Sequence, residues 1–108
     1  MTSAQLLTDA FGRIRDVVHE VVDGLDGEAL AFRADGRANS IAWLVWHLTR
    51  IQDDHVADAA GTAQVWTVRG WARRFDLPLG DADTSYGHSG DQVALVQVES
   101  AALLTGYH

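Results

Sequence analysis

There is no cysteine anywhere in the 108 residues. That excludes disulfide bonds, thiolate metal ligands and a cysteine nucleophile, so any thiol chemistry requires the sulfur to arrive on a small molecule. Basic residues are scarce: eight Lys plus Arg stand against fifteen Asp plus Glu, a formal net charge of −7. This balance argues against a nucleic-acid partner, which needs a basic face, and against an anionic membrane surface. The opening stretch "MTSAQLLTDAFGR" has neither the basic region nor the apolar core of a signal peptide, and no segment reaches transmembrane length. A cytoplasmic protein without a membrane partner is expected. Nucleotide-binding loops, nucleophile elbows, HExxH motifs, internal repeats and low-complexity tracts are also missing.

What is there suits a single packed domain over residues 1–108, since a hydrophobic share of 47% fits a globular core rather than a disordered chain. Thr2 or Ser3 can cap a first helix in which Leu6, Leu7, Ala10, Phe11, Ile14, Val17, Val18, Val21, Val22 and Leu25 recur at helical spacing, with Gly24 and Gly27 marking its end. His19 sits beside that stripe as a boundary histidine. A polar connection follows, with "GEALAF" suited to a turn of helix. Asn39 or Ser40 then caps a second helix running to about Ala60 and stopped by Gly61.

Beyond Gly61 the segment is aromatic and locally basic, with a short helix expected near Trp71–Phe75, ended by the single proline, Pro78. "GDADTSYGHSGDQ" is turn-rich. The valines of "DQVALVQV" leave a short helix and a strand both open. Ser100 reads as the N-cap of a last helix that has barely begun at His108, so the chain is expected to be truncated at its C-terminus relative to a full fold unit.

The second helix carries the chemistry. At about 100° per residue, Ser40, Leu44, His47, Ile51, Asp54 and Asp58 share one stripe with Trp43 beside it. Ile41, Val45, Trp46 and Leu48 cover the other sides, which predicts a helix buried in a bundle and His47 pointing inward. A buried imidazole needs a hydrogen-bond partner or a metal. His47 and His55 cannot share one ion, because eight residues of helix separate them by about 12 Å of rise. Asp54 fails by nearly the same margin, so other ligands must come from other helices. On spacing alone, a structural histidine outweighs a ligand.

Other chemistry-bearing residues have bland readings. The adjacent Asp53 and Asp54 point about 100° apart and read as solvated charges, although Asp54 shares the His47 stripe. His55 reads as a surface group. Arg69, Arg73 and Arg74 form the basic cluster and are expected to pair with the protein's own acids, or else to receive an anion. Trp66 and Trp71 read as core or loop anchors.

The run "NSIAWLVWHLTRIQDDHV", followed by "GTAQVWTVRGWARRFDL" and "DTSYGHS…LLTGYH", resembles the DinB-like superfamily. The likeness is to its actinobacterial branch, which includes mycothiol- or bacillithiol-dependent S-transferases and the N-terminal domain of mycothiol-dependent maleylpyruvate isomerase. The resemblance implies an all-α, four-helix up-and-down bundle, incomplete at the C-terminus here, and often a homodimer. It also implies a divalent metal such as zinc or nickel held by three histidines, one of which corresponds to His47. The other two normally stand four apart on the last helix. Here the remaining histidines are His19, His55, His88 and His108, none four apart, so the ligand set is incomplete. Two functions follow as expectations. One is a metal-dependent small-thiol S-transferase acting on an electrophile, with His47 a ligand and Asp54 or His55 near the substrate. The other is a non-catalytic helical module that acts through self-association.

Overall fold

The structure is a computed structural model and describes residues 1–84 and 86–108. Among the described residues seven helices occur in chain order: α1 Ser3–Val22, α2 Gly27–Ala31, α3 Ile41–Ala60, α4 Val65–Val68, α5 Trp71–Phe75, α6 Gly90–Ala94 and α7 Ala101–Tyr107. No strand is present among the described residues, and the extended chain makes one isolated bridge, Asp26 with Ser100. The all-α class expected from the sequence is the class adopted. Two helices, α1 and α3, have bundle length.

Local sequence explains where they begin and stop. Thr2 caps α1 in a reciprocal box: its hydroxyl accepts from the Gln5 N–H, and the Gln5 side chain accepts from the Thr2 N–H. Ser40 caps α3 by accepting from the Trp43 N–H at 3.0 Å. Gly61 ends α3 in the left-handed region at φ 69°, where a residue without Cβ is at ease. Gly27 opens α2 rather than ending α1, and a Cβ there would sit 3.0 Å from the Val98 carbonyl. The open reading of "DQVALVQV" resolves into the short α6 followed by irregular chain, because Ser89 and Gln92 form a second capping box.

The core gathers Val22, Leu30, Trp46, Val96 and Leu104, all at most 1% exposed. Beside it, Trp66, Phe75 and Tyr107 pack ring on ring, with Trp66 5.0 Å from each of the other two. Helix α3 supplies the spine of this core through Ala42, Trp43, Val45, Trp46, Thr49, Arg50 and Ala57. Its apolar residues run all round the sequence, but only this face is covered; Leu44 and Val56 remain exposed. Helix α1 is amphipathic as expected, yet Val18 and Val22 are its buried residues. Leu6, Leu7, Phe11, Ile14, Val17 and Val21 stay 42 to 57% exposed.

Candidate functional site

His47 stands mid-helix on α3, half-buried, with its ring stacked on Trp43 at 4.7 Å and 17°. The stack follows from helical spacing, since residues four apart lie one above the other. The irregular segment between α5 and α6 crosses this face, and the Thr84 carbonyl lies 2.9 Å from His47 Nδ1. A carbonyl only accepts, so the proton of the neutral ring sits on Nδ1 and the lone pair on Nε2.

The same segment is pinned on the other side of Trp43. Trp43 Nε1–H donates to His88 Nδ1 at 3.2 Å. His88 must therefore carry its proton on Nε2, which donates to the Asp83 carboxylate at 2.9 and 3.0 Å. The His88 side chain is 3% exposed and also stacks against Trp46.

One turn beyond His47 lies Arg50, fully buried. Its Nε donates to the Asp83 carbonyl at 3.1 Å and its Nη2 to the Asp81 carbonyl at 3.0 Å. Its Nη1 reaches Gln64 Oε1 at 2.6 Å, and the guanidinium lies over the Trp66 ring at 5.0 Å. A planar fork of five donors suits this bridging of two carbonyls and an amide. Sequence reasoning passed over Arg50; the available signal was a lone cation on the tryptophan face of α3.

Asp53 and Asp54 are not solvated charges. Asp53 caps α4 by accepting from the Val65 and Trp66 N–H groups at 2.9 and 2.8 Å, and accepts from Tyr107 Oη–H at 2.6 Å. Asp54 accepts from Gln64 Nε2. It lines a cavity with Asp58, Thr62 and Asp81, away from His47. His55 is exposed but shares with His47 a largely apolar groove of about 460 Å³ between α1 and α3, walled by Phe11, Ile14, Leu48 and Ile51.

His108 donates from Nδ1 to Thr49 Oγ1 at 3.0 Å, because the single hydroxyl proton goes to the Val45 carbonyl. Burial, followed by the nearby His19 and Arg15, holds its pKa below the usual imidazole range. Tyr107 is shifted the other way: burial and the Asp53 carboxylate push its phenol well above the usual range, against the opposing pull of Arg50.

Comparison with known proteins identifies the architecture. The sequence profile of the DinB superfamily matches residues 10–106. The chain belongs to the DinB superfamily. No curated protein matches it. Its fold is that of a conserved protein from Enterococcus faecalis whose crystal structure superposes with a TM-score of 0.89 at 23% sequence identity, covering 99% of this chain and 63% of that one. This DinB chain thus spans 63% of the length of the neighbour it matches.

The matched region contains Trp43, His47, Arg50 and His88. The metal site that the resemblance implies would need several donors. Among the described residues, no group of three or more His, Cys, Asp or Glu side chains lies close enough to hold an ion. His47 suits the part of one ligand, because an Nδ1–H held by a backbone carbonyl is the usual backing of a metal-bound imidazole. The described residues do not complete the set. The basic cluster also departs from expectation: Arg69, Arg73 and Arg74 make no ion pair among the described residues. Arg74 instead covers the Trp71 ring at 4.7 Å, and left-handed Gly70 breaks the helix between Arg69 and Arg73. No helix among the described residues is long and apolar enough to cross a membrane.

Proposed function

We propose that this DinB protein is a metal-dependent small-thiol S-transferase-like protein of the cytoplasm, in which His47 supplies one ligand to a divalent ion such as zinc or nickel. The observation that carries the reading is the 2.9 Å bond from His47 Nδ1–H to the Thr84 carbonyl, which fixes the lone pair on Nε2. A divalent ion bound there would act as a Lewis acid and hold a thiol of the mycothiol kind as its thiolate. The remaining donors have to come from elsewhere than the described residues. This chain's own part is to orient the imidazole by stacking and hydrogen bonding. Its groove between α1 and α3 also offers an apolar wall, Phe11, Ile14, Leu48 and Ile51, to the electrophile.

The test is the metal content of untagged protein beside that of His47→Ala. In protein that carries the remaining donors, one divalent ion per chain, lost in the variant, is the expected result. Such protein found free of metal overturns the reading.

A second reading, a non-catalytic module acting through self-association as a homodimer, is favoured by a separate observation. Six large apolar side chains of α1 lie exposed on one helix, and contiguous apolar patches of more than a few hundred Å² are uncommon on monomers. A monodisperse monomer in sedimentation overturns it.

A further inference from the structure

Four side chains, His47 among them, and one backbone carbonyl close a ring. Asp83 accepts from His88, His88 accepts from Trp43, Trp43 stacks on His47, and His47 donates to the carbonyl of Thr84, the residue next to Asp83. The ring closes because neighbouring residues of one segment, Asp83 and Thr84, grip both ends of it. We infer that His88 is a positioning residue for His47, setting its orientation and tautomer without touching it.

The chemistry of His88 is what the position demands. The indole N–H of Trp43 can only donate and the Asp83 carboxylate, when ionised, can only accept. The residue between them must accept on one side and donate on the other, and a neutral imidazole in its Nε2–H form does both. With Trp43 buried at 8% exposure and the His88 side chain at 3%, water has little access to replace the bond between them, while the Asp83 side chain is 28% exposed. Loss of His88 would free the indole plane on which His47 rests. It would also loosen the segment that presents the Thr84 carbonyl, so these two constraints on the His47 ring weaken together. Thr49 and Val45, by contrast, lie toward His108 and take no part in the ring.

The consequence for metal binding rests on the function proposed above, but the test does not. The imidazole tautomers are read from long-range proton–nitrogen correlations in protein treated with a chelator, at about pH 8.5, some two units above the ordinary imidazole value. The wild-type protein is expected to show His47 as Nδ1–H and His88 as Nε2–H; the reverse assignment at either ring overturns the inference. In His88→Phe, which keeps a planar aromatic ring and removes both bonds, the Nε2–H form of His47 is expected to become the major one. His88→Gln is expected to restore the wild-type His47 signal, because its amide oxygen can accept from Trp43 while its NH2 donates to Asp83. A folded His88→Phe protein whose His47 stays wholly Nδ1–H overturns the inference, whatever the metal content. Protein that carries the remaining donors yet is free of metal, with the tautomer shift intact, removes the S-transferase reading and leaves the positioning role standing.

Discussion

The Tyr107 hydroxyl donates to the Asp53 carboxylate across 2.6 Å, joining α7 to the middle of α3. The same carboxylate accepts from two backbone N–H groups at the start of α4. One side chain thereby ties three helices, and its removal strands several polar groups at once.

Asp53→Ala is expected to destabilise more than Tyr107→Phe. The phenylalanine variant removes the hydrogen bond to this carboxylate, a loss of about 1.5–3 kcal/mol, together with the long 3.4 Å bond from Arg50 Nη1. The alanine variant removes the carboxylate bond and also uncaps α4, where a lost cap typically costs about a further 1 kcal/mol. Urea titrations of the two single variants and the double variant measure the order. Their non-additivity gives the coupling, expected in the range of about 0.5–3 kcal/mol for residues in contact. Equal effects would contradict the three-helix role of Asp53.

Arg50→Met is expected to cost at least about 3 kcal/mol. Methionine fills much of the stem volume but leaves the Asp81 and Asp83 carbonyls and Gln64 Oε1 without their donor. The three groups are part-buried and water reaches them, so each lost bond costs near the low end, about 1 kcal/mol. Arg50→Lys recovers only part of this, because an ammonium is a compact point charge and cannot span the fork. Chemical denaturation reads the stability. Amide exchange through the segment carrying Asp81–Thr84 reads the second effect, which is faster exchange before global unfolding.

These two residues also show where the sequence stops being legible. The caps of α3, Ser40 and Gly61, can be read directly, because a cap is a residue type at a fixed offset from its helix. So can the inward lean of His47 beside Trp43. The partner of His47 cannot be read: Thr84 acts through its carbonyl, a group every residue has, from 37 positions away. His88 is hidden for the same reason, 45 positions from Trp43 in a turn-rich stretch. Asp53 reads as solvated because its acceptors' partners are backbone N–H groups twelve and thirteen residues on. Arg50 is passed over because arginine is almost never fully buried; here two carbonyls, an amide and a tryptophan face make it so. The uncovered stripe of α1 has another origin. Periodicity gives the apolar face of a helix but not what covers it.

Phe11→Glu and Ile14→Glu test that stripe. Both side chains are more than two-fifths exposed, so a carboxylate there keeps its water and the cost to folding stays within about 0.5 kcal/mol. If copies of this chain meet through α1, either substitution places charge in the contact and shifts the equilibrium toward monomer. Sedimentation velocity at several concentrations checks this. An unchanged association state in both variants shows that α1 is not the contact.

The two shifted groups predict opposite limbs of a stability–pH curve. Tyr107 has its pKa raised in the folded chain, chiefly by burial and then by Asp53. Between the unfolded value of about 10 and the higher folded one, the native state binds the extra proton, so stability falls as pH rises through that window. His108 has its pKa lowered, first by burial and then by His19 and Arg15. Below its ordinary value of 6.5 the unfolded chain binds the extra proton, so the contribution is full above that value and is lost as pH falls toward the folded pKa. Tyr107→Phe should therefore flatten the alkaline limb that begins near pH 10, and His108→Gln the acid limb that begins near 6.5, each leaving the other limb in place. Thermal melts across pH 4–11 read both slopes. A His108→Gln protein with an undiminished acid limb would place that proton uptake on other groups.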